Sequence, residues 1–92
     1  MPRKTNPLSP IGTQINTVRM QKNMSLGQLT KDARLDYSQL YRIMHGSSHP
    51  SYESLLRICR ALQCTPEEAG EIFGQTNYRT PDPGELEEEL AA

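Results

Sequence analysis

Ser38, Gln39, Tyr41 and Arg42 sit close together in the stretch DYSQLYRIMHG, residues 36–46. The hydroxyl, the amide and the guanidinium fork among them are groups that can read base edges in a major groove. On a helical wheel with Leu40 at the origin, Ile43 and Met44 fall within about 60° of it and form the inward stripe. Ser38, Arg42 and His45 lie on the far side, Gln39 and Tyr41 on the flanks, and Tyr37 at the margin. An ordinary solvated face would carry Glu and Lys instead.

Two other spacings invite chemistry. His45-x3-His49 and Cys59-x4-Cys64 both resemble pairs of zinc ligands. Cys59 shares an apolar stripe with Leu55 and Leu62, however, and Cys64 follows Leu62, so both read as small buried residues. No metal site and no cofactor is expected. The chain has no Gly-rich phosphate loop, no nucleophile elbow and no carboxylate cluster outside its last residues, so an enzyme is not expected. Met20, Met24 and Met44 are expected to fill the core.

The elements that must position these groups are short helices. Ser9 is a good N-cap, Pro10 suits the first helical position, and Ile11, Ile15 and Val18 recur at helical spacing. Asn23 suits a left-handed residue after the end of this first helix. Ser25, with Gln28 three residues on, gives a capping-box pattern for a short second helix with Leu26, Leu29 and Ala33 on its apolar side. After the break RLD, Asp36 and Gln39 repeat the pattern, and Gly46 stops the third helix. Ser51 caps a fourth helix with Leu55, Ile58, Cys59 and Leu62 inward. Thr65-Pro66-Glu67-Glu68 opens a fifth, with Ala69, Ile72 and Phe73 inward and Gly74 at its end.

The expected fold is therefore all-α. It has five helices in one domain over residues 9–74, with the helix-turn-helix at about 25–45, an irregular basic arm at 1–8, and an acidic tail at 75–92. The tail, GQTNYRTPDPGELEEELAA from Gly74, is acidic and Pro/Gly-punctuated. It is expected to be mostly disordered, with a marginal helix over GELEEELAA.

Charge divides the chain in the same way. Residues 1–60 hold nine Lys and Arg against three acids, whereas residues 61–92 hold one Arg against eight acids. A basic body suits a polyanionic partner. No apolar run reaches the ~18 residues of a membrane span. The start of the chain lacks a signal-type apolar stretch, so a cytoplasmic location is expected. Two cysteines are too few for a disulfide framework.

From about Ile11 to Phe73 the sequence resembles the lambda-repressor-like Cro/Xre family of five-helix DNA-binding domains. SLGQLTKDARLDYSQLYRIMHG and HPSYESLLRICRALQCTPEE carry the resemblance. Leu29, Ala33, Leu35, Leu40 and Ile43 fall where that family places its core. The resemblance makes the third helix the recognition helix. Tyr37, Ser38 and Arg42 then stand at base-reading places, a role the wheel independently supports for Ser38 and Arg42. Arg19, Ser25, Gln28, Gln39, Tyr41, His45, Ser47 and Ser48 become backbone or flanking contacts. The chain departs from the family in five places: the loop after Gly46, often Lys/Arg-rich in the family, is SSH here, and four single positions differ. Thr30 stands for a small Ala, Arg34 for a Gly, Leu26 for a backbone-contacting Gln, and Met44 for an acid that pairs with an Arg of the first helix. The last change is expected to free Arg19 for a phosphate.

The resemblance implies a sequence-specific transcriptional regulator of double-stranded DNA, a repressor acting on an inverted repeat as a homodimer. The alternative is an antitoxin-like or adaptor protein whose acidic tail binds a protein partner.

Overall fold

Four helices begin on a hydroxyl that accepts a backbone N–H one turn further in. Ser9 Oγ accepts from Gly12 at 3.1 Å, Ser25 from Gln28 at 3.0 Å, Ser51 from Ser54 at 3.0 Å, and Thr65 from Glu68 at 3.2 Å. Each bond satisfies one of the donors that a helix start leaves open. The structure, a computed structural model, describes residues 7–87. The helices are α1 (Pro10–Gln21), α2 (Leu26–Ala33), α3 (Tyr37–Met44), α4 (Tyr52–Ala61), α5 (Pro66–Phe73) and α6 (Pro83–Glu87), and no strand occurs among the described residues.

The expected capping boxes formed at α3 and α5. The Asp36 N–H donates to Gln39 Oε1 at 3.0 Å, and the Thr65 N–H to Glu68 Oε1 at 2.9 Å. At α2 only the Ser25 half is present, because the Gln28 amide turns forward and donates to Asp32 Oδ1 at 2.8 Å. Asn23, Arg34 and Gln63, following α1, α2 and α4, all hold left-handed backbone at φ 57°, 60° and 54°.

The stripes expected from the sequence meet in one core. Ile15, Leu29, Ala33, Leu55, Ile58, Cys59, Ala69, Ile72 and Phe73 have no exposed surface, and Leu40, Val18 and Leu62 almost none. α1 packs on α3 and α5, and α2 on α3 and α4. The Met44 carbonyl, at the open end of α3, accepts from both the N–H and the Oγ of Ser9, at 2.8 and 2.9 Å. One methionine departs from expectation. Met20 is 59% exposed, because it lies two residues beyond the inward Val18 and so turns away from the core.

The C-terminal segment also differs from expectation over residues 75–87, which fold back onto α4. Tyr78 Oη donates to the Pro50 carbonyl at 2.8 Å. Arg60 Nε donates to the Glu85 carbonyl at 2.8 Å, and Tyr52 Oη to Glu85 Oε2 at 3.1 Å. Leu86 is buried, and Tyr52 meets Phe73 and Tyr78 edge-on. Burying Leu86 contributes roughly 1.5–3 kcal/mol toward ordering this segment, beside the hydrogen bonds of Tyr52, Arg60 and Tyr78. Most of the expected arm, and the end of the expected GELEEELAA helix, lie outside the described residues.

Candidate nucleic-acid interface

The turn between α2 and α3 takes three residues. Arg34 adopts φ 60°, ψ 45°, its N–H donates to the Lys31 carbonyl at 3.2 Å, and the Leu35 N–H donates to the Thr30 carbonyl at 3.0 Å. This closure ends α2 in the left-handed manner, and Leu35, buried at its far side, fixes the angle at which α3 departs. α3 then sets Leu40, Ile43 and Met44 into the core.

Its other face is open. Ser38, Gln39 and Arg42 are exposed, and so are Tyr37 (56%) and Tyr41 (43%). Ser38 and Arg42 stand one turn apart on this face, as i and i+4 neighbours. Among the described residues the Arg42 guanidinium has no hydrogen-bond or ion-pair partner, whereas Lys22 pairs with Glu68 at 3.3 Å and Arg57 with Glu53 at 3.2 Å. Lys31 and Arg34, which the sequence reading left without a contact role, are likewise exposed and unpaired. Three cations without an ion-pair partner therefore flank the turn and α3, against two carboxylates, Asp32 and Asp36, in the same stretch. Their signal in the sequence was the absence of an acid four residues before Lys31 or Arg34, at Gly27 and Thr30.

The other expected contact residues divide. Gln39 uses its Oε1 as a cap and keeps its amide N–H groups free of that bond. Tyr41 stacks on His45, ring centroids 4.1 Å apart, and His45 Nδ1 donates to the Pro7 carbonyl at 3.2 Å. Ser25 is committed to its cap and Gln28 to Asp32. The N–H groups of Ser47 and Ser48 both donate to the Arg42 carbonyl, at 2.9 and 3.3 Å, so only their exposed hydroxyls remain for a partner. The far end of this loop is held by Tyr78 at Pro50.

Arg19 is not free. Its Nε and Nη2 donate to Asn16 Oδ1 at 3.1 and 2.6 Å, and Nη1 donates to the Met24 carbonyl at 2.7 Å. Asn16 and a backbone oxygen do the work expected of an acid on α3.

His45 and His49 do not join the cysteines. Cys59 and Cys64 are buried in the core, and among the described residues no group of three or more His, Cys, Asp or Glu could hold a metal. No described helix is long and apolar enough to cross a membrane.

The arrangement is a capped helix, a left-handed turn and a second capped helix that offers a guanidinium, a hydroxyl and an amide to the outside. Comparison with curated proteins and with solved structures gave no match. A family model described as a Cro/C1-type HTH DNA-binding domain matches residues 14–73, which take in α2, the turn and α3 together with the helices that support them. With the motif's geometry and its match in agreement, the chain belongs to the Cro/C1-type helix-turn-helix DNA-binding family.

Proposed function

We propose that this protein is a cytoplasmic, sequence-specific transcriptional regulator, and that it represses by binding an inverted-repeat operator as a homodimer. The observation that carries this reading is Arg42, exposed and unpaired on the outward face of α3, one turn beyond Ser38. Such a guanidinium reads guanine O6 and N7 through two parallel hydrogen bonds, and Ser38 and Tyr37 lie on the same helix toward its N-terminal, base-facing end. A single motif of this size contacts few base pairs, so two copies on a two-fold repeat supply the affinity. The fold-back of residues 75–87 favours the regulator over the adaptor reading, since Glu85 and Leu86 are engaged by the domain itself.

Selection from random duplex DNA, run in parallel with the wild type and Arg42→Ala, tests the proposal. The expected result is an enriched inverted repeat in which one guanine per half-site loses about 1–3 kcal/mol of preference in the variant. Sedimentation of the protein with the selected duplex should give two chains per site. Absence of an enriched motif for the wild type would remove the reading.

A further inference from the structure

The loop that joins α3 to α4, residues 45–51, is fastened at its ends and little supported between them. At the near end the N–H groups of Ser47 and Ser48 donate to the Arg42 carbonyl. Beyond that point Ser48, His49 and Pro50 border an open hollow of about 250 Å3, whose other walls are Ile43, the start of α1, and Gln75 and Thr76. Ser47, Ser48 and His49 are all exposed, so no side chain in the middle of the loop packs into the core.

The far end is different. Pro50 is buried, and a carbonyl in that setting must find a donor. The donor is Tyr78 Oη at 2.8 Å, which comes from beyond the family-matched residues 14–73. Tyr78 is itself held from several sides. Its ring meets Tyr52 edge-on at 5.7 Å between centroids and lies against His49 at 5.9 Å. Its N–H donates to the Thr76 hydroxyl at 3.1 Å, which in turn donates to the Phe73 carbonyl at 2.7 Å. A phenol anchored to the end of α5 thus fixes the end of the loop. Serine hydroxyls on such a loop are the kind of donor that meets phosphate oxygens and sets register on a duplex. A loop that swings lowers the apparent affinity by the fraction of time it spends out of place.

We infer that Tyr78 is a positioning residue for DNA binding: by holding the Pro50 carbonyl it keeps Ser47 and Ser48 in place for the sugar-phosphate backbone, and it makes the docked segment 75–87 a control on operator affinity. The inference rests on the DNA-binding proposal and adds to it an element outside the matched domain.

Tyr78→Phe removes only the hydroxyl and keeps the ring contacts with Tyr52 and His49. Tyr78 is half-buried, so water can reach the position the hydroxyl leaves and the variant keeps its fold, which a thermal melt verifies. Its affinity for the selected duplex should fall about two- to fivefold, the weight of one hydrogen bond. Two further backgrounds identify the route. In Arg42→Ala the same loss should recur, because the guanidinium and the loop hydroxyls act separately. In the double variant Ser47→Ala, Ser48→Ala, which leaves no loop hydroxyl to position, the loss should vanish. A Tyr78 hydroxyl that served the fold alone would weaken binding equally in both backgrounds. Equal losses, or wild-type affinity in Tyr78→Phe, overturn the inference and leave the DNA-binding proposal standing. If the wild type selects no duplex at all, both fall.

Discussion

Gly12 of α1 lies directly against the backbone of Met44 at the end of α3. A Cβ at position 12 would overlap the Met44 carbonyl oxygen and stand 2.8 Å from its Cα. The obstacle is backbone, which cannot swing aside as a side chain can, and the same carbonyl is held by both donors of Ser9. Gly12→Ala should therefore destabilise the fold by about 3 kcal/mol, the upper end for an added methyl in a packed interior. Urea denaturation followed by circular dichroism measures it. A change under about 1 kcal/mol would show that α1 and α3 separate easily.

Arg34 holds left-handed backbone without being glycine. A Cβ in that conformation costs about 1–2 kcal/mol, partly offset by the greater freedom glycine has in the unfolded chain. Arg34→Gly should stabilise the domain by about 0.5–1 kcal/mol and raise its Tm by several degrees. The same variant removes one of the three unpaired cations beside the turn, so under the DNA-binding proposal its affinity at low salt should fall and its log–log salt slope should become shallower by up to about 0.9. Calorimetry and a salt titration separate the two effects.

Helix starts were legible because a cap is written in adjacent residues. Ser9, Ser25, Ser51 and Thr65 each sit three residues before the N–H they hold. The inward stripe of α3 was legible for the same local reason, as its period alone selects Leu40, Ile43 and Met44. What escaped was non-local or competitive. Gln28 had two local partners available and took Asp32, and spacing does not rank such choices. Arg19 was expected to be free because its usual acid is missing, yet Asn16 and the Met24 carbonyl hold it instead. The fold-back of residues 75–87 depends on Pro50, Tyr52 and Arg60, twenty-five or more positions away, so no local composition signals it.

That fold-back should respond to acid. Hydrogen bonds from Arg79 and then from the Asp82 N–H hold the Glu85 carboxyl down to about 2, against an ordinary value of about 4.3. Between those values the unfolded segment binds more protons than the docked one, so docking is favoured as pH rises. The stabilisation is complete above the ordinary carboxylate value and is lost as pH falls from there through about 2. NMR signals of Tyr78 and Leu86 should move toward random-coil positions across that window. In Glu85→Gln they should be shifted already at neutral pH and respond less to acid.

Cys59 should be inert in the folded protein. Cys59 is pushed well above the ordinary thiol range by its hydrogen bond with Cys64 and by burial, and little thiolate forms at neutral pH. Iodoacetamide should leave Cys59 unmodified under native conditions and alkylate it once urea unfolds the chain, as mass spectrometry would show. Rapid native alkylation would mean that the C-terminal turn of α4 opens without global unfolding.

The loop after α3 is tied twice, to the Arg42 carbonyl at Ser47 and Ser48 and to Tyr78 at Pro50. Under the proposed contacts it behaves as a caliper. Its jaws are the guanidinium on a base and the two hydroxyls on the backbone, and their opening cannot change without breaking one of those ties. An operator half-site should then tolerate substitutions at many places but no insertion or deletion of a nucleotide between guanine and contacted phosphate. Variable spacing, where it occurs, would be confined to the centre of the repeat.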